Sequence, residues 1–241
     1  GPSGETYIAT CLRLEDGGYA AIGGKAVHPE MGPANIDLMA LRITSEGNVD
    51  WVRTYGGSEY DVGIGITGSS SGKLLVTGAT RSSDGDVTNY MGLGDGWLLE
   101  LAPNGDLLTQ RTLGGEFDDQ LSDGMQTSDG NIVVTGYYSY ELMSFGSLQP
   151  TTRVIVEKLT PNGQSIWRHD YGGTMGDYGW LIRQTPDGGY LLFANAYSNN
   201  GDVTGFGGTV DAWLLRLDAQ GELLWQRTFG GWEMDGPSDI Q

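Results

Sequence analysis

The chain has almost no cysteine or histidine and few basic residues. Its 241 residues include one cysteine, two histidines, and 13 lysines and arginines against 31 aspartates and glutamates, a net charge of −18. Cys11 cannot form an internal disulfide, and its place in a predicted strand favours a small buried hydrophobe over a reactive thiol. Phosphate binding requires a basic surface, so we expect no nucleic acid partner. An acidic surface keeps a protein soluble and attracts cations.

Long apolar runs and catalytic motifs are also missing. No stretch approaches the roughly 18 apolar residues that span a bilayer, so we expect no membrane insertion. No secretion signal is present, and we expect any such signal to have been removed. There is no Gly-x-Ser-x-Gly elbow, no His-Glu-x-x-His pair and no phosphate-binding glycine loop, and His28 and His169 belong to different parts of the chain. We therefore predict no catalytic residues and no enzyme.

Glycine, in contrast, is abundant, with 41 residues, and much of it recurs every 58 positions. Gly-Gly pairs stand at 56–57, 114–115, 172–173 and 230–231. An aspartate follows four residues after each pair, at Asp61, Asp119, Asp177 and Asp235. A turn glycine keeps the same interval at Gly47, Gly105, Gly163 and Gly221. The chain is therefore built from internal repeats.

Each repeat predicts four short strands. In the last full copy, strands A to D are expected at 177–184, 189–194, 211–217 and 222–229, with tight glycine turns between A and B and between C and D. A lone four-stranded meander cannot bury both faces, so the copies must pack on each other. Four antiparallel strands per repeat favour a propeller over a linear solenoid. No segment shows helical periodicity.

We predict an all-β fold, a β-propeller of four-stranded antiparallel blades, as a single domain over residues 1–241. The blades are expected at about 5–54, 60–112, 118–170 and 176–228. Residues 235–241 read as a further strand A, which either clasps a four-bladed ring or begins a blade of a larger one. The strand-D tryptophans Trp51, Trp167 and Trp225 are expected between blades.

These motifs resemble the SBBP-type β-propeller repeats of bacterial exported proteins. The shared pattern is Tyr-Gly-Gly-x-x-x-Asp (55–61), a Ser-Asp-Gly turn with a Val-Thr-Gly strand (128–136), Asp-x-Trp-Leu-x-x-Leu (211–217) and a Pro-Asn-Gly turn (103–105). The first copy departs from it, because its B–C loop is three residues shorter and Thr6 replaces the aspartate. The resemblance implies a surface or secreted protein, often multidomain, and gives no catalytic residues.

The connectivity places the B–C loops and the D–A connections at one end of each blade, here called the loop end; the A–B and C–D turns form the tight-turn end. Binding residues usually lie on such loops, here expected at 24–36, 80–94, 137–152 and 195–210. The aspartate series either binds cations or caps its own turns. The aromatic residues at the loop end either contact a ligand or pack onto the blades. They include Tyr137, Phe145 and Phe206, and five others are the candidate ligand-binding residues. The aromatic candidates are Tyr90, Tyr138, Tyr140, Tyr197 and Trp232.

Calcium is the one cofactor that the sequence suggests. Residues 82–86 (Ser-Ser-Asp-Gly-Asp) and 198–202 (Ser-Asn-Asn-Gly-Asp) match each other and carry alternating oxygen-bearing side chains. They lack the spacing and the closing glutamate of an EF-hand, and turns capped by aspartate or asparagine are the alternative. The candidate ligands are Asp84, Asp86, Asp95, Asp202 and Asp211.

From these features we expect a non-catalytic extracellular recognition or structural module. It would be secreted or displayed at the cell surface and would bind a protein or a glycan through its loop end. Other domains of a larger polypeptide are a further partner that we consider. The alternative is a carbohydrate-active enzyme, or a propeller fragment of one, that uses acidic residues at the channel mouth.

Overall fold

Strands account for all the regular structure. The computed structural model describes residues 6–27, 35–69, 71–144 and 147–236. Within those ranges the chain forms sixteen strands and no helix. The strands make four antiparallel sheets of four, each ordered as the chain runs. The predicted all-β fold of four-stranded antiparallel propeller blades is therefore confirmed, and the sheets are called blades 1 to 4.

The chain divides into two compact units, Gly1–Leu121 (unit 1) and Ser122–Gln241 (unit 2). The division falls within the first strand of blade 3. Blade 1 has strands β1 (Thr6–Arg13), β2 (Tyr19–Val27), β3 (Asn35–Ile43) and β4 (Val49–Tyr55). Blade 2 has β5 (Asp61–Gly68), β6 (Leu74–Thr80), β7 (Asp95–Leu101) and β8 (Leu107–Leu113). Blade 3 has β9 (Gln120–Gln126), β10 (Ile132–Ser144), β11 (Ser147–Leu159) and β12 (Ser165–Tyr171). Blade 4 has β13 (Tyr178–Gln184), β14 (Tyr190–Ala196), β15 (Asp211–Leu217) and β16 (Leu223–Phe229).

Glycine closes every A–B and C–D turn, as the repeat predicts. The eight turn glycines have φ angles between 76° and 86°, in the left-handed region that side chains disfavour. They are Gly17, Gly47, Gly72, Gly105, Gly130, Gly163, Gly188 and Gly221. The turns fix the strand order, so the long connections fall at the loop end.

Each unit buries its apolar strands between its own two blades. In unit 1, β5 packs against β1, β2 and β3; in unit 2, β13 packs against β10 and β11. The two cores centre on equivalent tryptophans, Trp97 and Trp213, both 0% exposed. Each indole N–H still finds a partner, because Trp97 Nε1 donates to Gln110 Oε1 at 2.9 Å, and the same bond links Trp213 to Gln226 at 2.8 Å.

The expected loop at 137–152 is instead a long hairpin. Strands β10 and β11 each run for 13 residues and stay in register from Ile132↔Leu159 to Ser144↔Ser147. Tyr138 and Tyr140 therefore lie on a strand and not on a loop. The tyrosines and threonines of this segment have high β-propensity, which the turn-based interpretation underweighted. The candidate Phe145 lies outside the described residues, as do 28–34 and residues 237–241 of the proposed strand at 235–241.

The expected burial of Cys11 and of Trp225 is wrong, whereas Trp51 is buried between blades as expected. Cys11 is exposed on β1. Trp51 is 8% exposed, with its ring against Gly105 and its Nε1 donating to Pro103 O at 3.0 Å. Trp225 is 45% exposed. It lies on the last strand of blade 4, and the described part of unit 2 has no later blade whose C–D turn could cover it.

Among the described residues, no helix is long and apolar enough to cross a membrane.

Candidate functional site

The repeated aspartates cap the Gly-Gly turns. Each accepts a hydrogen bond through Oδ2 from the N–H of the second glycine, four residues earlier. The pairs are Asp61–Gly57 (2.8 Å), Asp119–Gly115 (2.6 Å), Asp177–Gly173 (2.8 Å) and Asp235–Gly231 (2.9 Å). This geometry matches the turn-capping alternative. A role for these carboxylates in binding a ligand stays a prediction.

Two of these aspartates also bind the end of strand B. In unit 2, Asp177 Oδ1 accepts from the N–H of Tyr197 at 2.9 Å, and Ser198 Oγ donates to Asp177 Oδ2 at 2.7 Å. In unit 1, Asp61 accepts from Thr80 Oγ1 and from Ser82 Oγ. Burial raises the pKa of Asp61 although these hydrogen bonds act against it. The aspartate thus fixes where the B–C loop leaves the blade.

The predicted calcium loops use their oxygens to hold backbone amides. In unit 1 the loop 82–86 accepts three N–H bonds from the Gly-Gly segment: Ser82 Oγ from Glu59 (3.0 Å), Asp84 Oδ1 from Ser58 (2.7 Å) and Asp86 Oδ2 from Gly56 (3.1 Å). In unit 2 the loop 198–202 repeats the arrangement: Ser198 Oγ from Met175 (3.0 Å), Asn200 Oδ1 from Thr174 (2.9 Å) and Asp202 Oδ2 from Gly172 (3.0 Å). The part of the chain that the structure describes contains no group of three or more acidic, histidine or cysteine residues arranged to hold a metal ion.

The remaining metal candidates, Asp95 and Asp211, begin equivalent strands. Both are buried, at 0% and 1% exposure, and each accepts one backbone N–H through Oδ2, from Met91 at 2.6 Å and from Gly207 at 2.8 Å. Their Oδ1 atoms have no hydrogen-bond partner. Burial raises the pKa of Asp95 to about 6. This carboxyl therefore carries a proton more readily than an exposed aspartate does.

A second carboxylate approaches Asp95 across a glycine. A Cβ atom on Gly114 would lie 2.3 Å from Asp95 Oδ1 and 2.6 Å from Asp119 Oδ2. No side chain fits between the two carboxylates, which explains why glycine stands there. In unit 2 a Cβ on Gly230 would likewise lie 2.3 Å from Asp211 Oδ1.

The aromatic candidates have different surroundings. Tyr90 is half-buried and packs onto the core of unit 1. Tyr138 lies under Arg168, whose Cζ is 4.2 Å from the ring centroid. Tyr140 reaches Gly173 O only at 3.5 Å, a long hydrogen bond. Trp232 is 93% exposed. Phe206, also considered, packs against the core of unit 2.

Tyr197 belongs to a contiguous array of three tyrosines at the loop end of unit 2. The rings of Tyr137 and Tyr178 meet edge to face with centroids 5.1 Å apart, and those of Tyr178 and Tyr197 do so at 5.6 Å. All three side chains are half-buried. Offset or edge-to-face contacts of this kind stabilise an aromatic cluster.

Two polar side chains beside these rings lack a partner. The Oγ1 of Thr152 and the Oδ1 of Asn195 are buried and make no hydrogen bond. Asn195 lies opposite Tyr178 in the β13–β14 ladder. A Cβ on Gly176 would lie 2.9 Å from Thr152 Oγ1 and 3.0 Å from the Tyr178 hydroxyl, so this glycine leaves a gap between the two hydroxyls. We call Tyr137, Thr152, Tyr178, Asn195 and Tyr197 the tyrosine site.

Sequence reasoning named Tyr197 and noted Tyr137, but missed Tyr178, Thr152 and Asn195. The signal for Tyr178 is that its position varies between the copies of the repeat. Valine follows Asp61, glutamine follows Asp119 and glycine follows Asp235. The blade does not require one residue type at a position that varies in this way. Such a position is therefore free to serve binding.

Comparisons with known proteins leave the family open. No protein-family model and no curated protein matches the chain. The chain is similar to the solved structure of a mannose phosphorylase from Leishmania mexicana, in complex with phosphate ion, at 15% identity and a TM-score of 0.47. The match covers 97% of this chain and 72% of that chain.

Proposed function

We propose that the chain is a non-catalytic recognition module that binds a saccharide through the tyrosine site. The observation that carries this proposal is the joint presence of three contiguous tyrosine rings and two buried side-chain oxygens without partners. Secretion or display at the cell surface, and linkage to other domains, belong to the same proposal.

The chemistry of a sugar fits both parts of the site. The apolar C–H face of a pyranose packs on an aromatic ring, and its hydroxyl groups donate and accept hydrogen bonds. Asn195 Oδ1 can only accept, whereas the Thr152 hydroxyl can do both. A buried polar group without a partner costs roughly 1–3 kcal/mol, which a sugar hydroxyl would recover.

A hydroxyl-rich ligand fits better than an apolar protein anchor. Anchors of protein partners fill desolvated apolar pockets, whereas each wall here ends in a hydroxyl or an amide. Tyr178 and Thr152 present their oxygens to the same gap above Gly176. The gap therefore suits a small polar group of the ligand.

One observation favours a second candidate, a carbohydrate-active enzyme. Asp95 is buried, its pKa is raised to about 6, and Asp119 approaches it across Gly114. An acid with a raised pKa next to a second carboxylate is the equipment of glycoside hydrolysis. These two residues belong to unit 1, so the two candidates involve different side chains and can be tested separately.

A glycan array compares the wild type with a variant in which the gap is filled. We expect the wild type to bind a subset of the glycans and Gly176→Ala to lose at least about tenfold in affinity, which is about 1.4 kcal/mol. Gly231→Ala is the control, because nothing lies within 4 Å of a Cβ at that position. No glycan bound by the wild type, or equal binding by Gly176→Ala, would refute the proposal.

The bound glycans are then incubated with the protein and assayed for new reducing ends. Binding without turnover supports a recognition module. Turnover that Asp95→Asn or Asp119→Asn abolishes would establish the enzyme instead. Calcium stays a prediction that EDTA tests. A lower melting temperature in EDTA would support calcium as a structural ion; we expect no change, because the loop oxygens of 82–86 and 198–202 already accept hydrogen bonds from backbone amides.

A further inference from the structure

Unit 1 contains a cavity of about 430 Å³ at its tight-turn end, away from every predicted site residue. It lies between the A–B turn of blade 1 and the A–B turn of blade 2. Leu12, Leu14 and Leu74 supply apolar walls, and Pro103 closes one side. The volume lies within the range of small-molecule sites.

The equivalent place in unit 2 carries larger side chains at two positions, so the blade pattern tolerates bulk where unit 1 has the cavity. Positions 116 residues apart in blades 2 and 4 correspond, and at two of the lining positions unit 2 has the larger side chain. Gly68 in unit 1 corresponds to Gln184, whose Oε1 accepts from the N–H of Ser128 at 2.8 Å. Leu74 corresponds to Tyr190, which is 0% exposed with its ring 5.8 Å from that of Trp167. Smaller side chains at these two positions leave the space open.

Glycine is not needed at position 68 for backbone reasons. Its φ is not among the positive angles of the chain. A Cβ there would make only an ordinary contact, 3.4 Å from Leu12 Cδ2. The absence of a side chain at Gly68 therefore serves the cavity and not the turn.

The cavity also gathers positive charge in an acidic chain. Arg13, Arg42 and Lys73 line it, against the carboxylates of Glu15 and Asp16. Arg42 donates to Asp16, so these two charges neutralise each other. The lining has three cations against two carboxylates, one positive charge in excess, in a chain whose net charge is −18. Lys73 pairs with Glu100 outside the lining, so Arg13 is the cation that keeps its charge without an ion pair to a described residue. Such local fields attract ions of opposite sign.

The ion pair of Lys73 has its charges exchanged relative to the equivalent pairs of the other blades. In blades 1, 3 and 4 a cation on strand C holds an aspartate of the A–B turn, as in Arg42–Asp16, Lys158–Asp129 and Arg216–Asp187. In blade 2 the signs are exchanged, and Lys73 at the turn pairs with Glu100 on the strand at 2.7 Å. The exchange puts an ammonium group at the cavity. Across it, Arg13 is exposed and makes no ion pair with the described residues.

We propose that this cavity binds a small organic anion with an apolar body. The leucines would cover the apolar part, and Arg13 with Lys73 would face the anionic head. The proposal does not depend on the tyrosine site, because that site belongs to the other unit and the other end of the blades.

Octanoate is the probe, and 1-octanol is its uncharged match. Isothermal titration or ligand-observed NMR should show saturable binding of octanoate to the wild type. The double substitution Gly68→Gln/Leu74→Tyr copies unit 2 and should reduce the affinity at least about tenfold. Its melting temperature should equal or exceed that of the wild type, because the added side chains fill a void.

A second variant keeps the charge requirement testable should the filled protein misfold. Arg13 is exposed, and the substitution Arg13→Gln leaves the leucines in place. It should weaken the affinity for octanoate about threefold to tenfold and leave the affinity for 1-octanol unchanged. Three results would overturn the proposal: no saturable binding of octanoate by the wild type, unchanged affinity in a folded double variant, or octanol and octanoate binding equally well.

Discussion

Units 1 and 2 share one two-blade pattern but differ in what occupies the equivalent positions. At the loop end, Tyr137, Tyr178 and Tyr197 of unit 2 correspond to Gly24, Val62 and Arg81 of unit 1. At the tight-turn end the contrast is reversed, since unit 1 has an open cavity where unit 2 has glutamine and tyrosine side chains. The two units thus differ at both ends, in the tyrosine site of unit 2 and in the cavity of unit 1.

The positions that do not differ are those that build the blades. Trp97 and Trp213 fill the same place in the two cores. Tyr55 and Tyr171 both donate to the carbonyl of the next C–D turn glycine, Gly105 and Gly221. Burial raises the pKa of both phenols. The comparison teaches that the repeat specifies packing and turns, whereas departures from it mark the candidate binding positions.

Making the tight-turn end of unit 2 resemble unit 1 should have the largest effect. Tyr190→Leu removes a fully buried ring from the core of unit 2 and leaves a void beside Trp167. We expect the free energy of unfolding to fall by about 2–4 kcal/mol in a urea titration followed by circular dichroism. Leu74→Tyr is the reciprocal control and should cost nothing. An equal loss in both variants would show that the two ends do not differ in packing.

Asp95 should make the stability of unit 1 depend on pH. Its pKa is raised to about 6 from 3.8, so between about pH 4 and 6 the folded chain keeps a proton that the unfolded chain releases. The free energy of unfolding therefore falls as the pH rises through this window, by about 1–3 kcal/mol.

Asp95→Asn should remove that part of the pH dependence. The exposed Asp106→Asn is the control and should leave it in place. Burial also raises the pKa of Asp61 and Asp123, and both aspartates are present in the two variants. The difference in pH dependence between Asp95→Asn and Asp106→Asn therefore reports Asp95 alone. Parallel curves for wild type and Asp95→Asn would contradict the assignment.

The sequence predicted the scaffold well because the scaffold depends on local rules. A glycine with positive φ closes each tight turn, and an aspartate four residues after the glycine pair caps each D–A connection; both are visible in the spacing. The long β10–β11 hairpin was missed, because the tyrosines and threonines between 137 and 152 were interpreted as loop composition rather than as β-branched and aromatic strand formers.

The candidate sites were harder to predict, because each depends on side chains from different strands. The sequence leaves open whether Asp84 and Asp202 bind calcium or cap turns, and only the structure shows that their oxygens accept hydrogen bonds from the amides of Ser58 and Gly172. The tyrosine site joins β10, β11, β13 and the end of β14, and the cavity joins two A–B turns. Periodicity predicts each strand but does not predict which residues of separate strands meet.

The difference between the units is tested most directly by calorimetric titration of the tightest-binding array glycan. The glycan is titrated into three proteins, which are the wild type, Tyr178→Val and Tyr60→Val. The first variant gives unit 2 the valine that unit 1 has at the same position, and the second makes the same exchange at a 40% exposed tyrosine of unit 1. We predict a Kd at least about tenfold weaker for Tyr178→Val and within about twofold of wild type for Tyr60→Val. Equal affinity in all three proteins would show that the tyrosine site does not bind the saccharide.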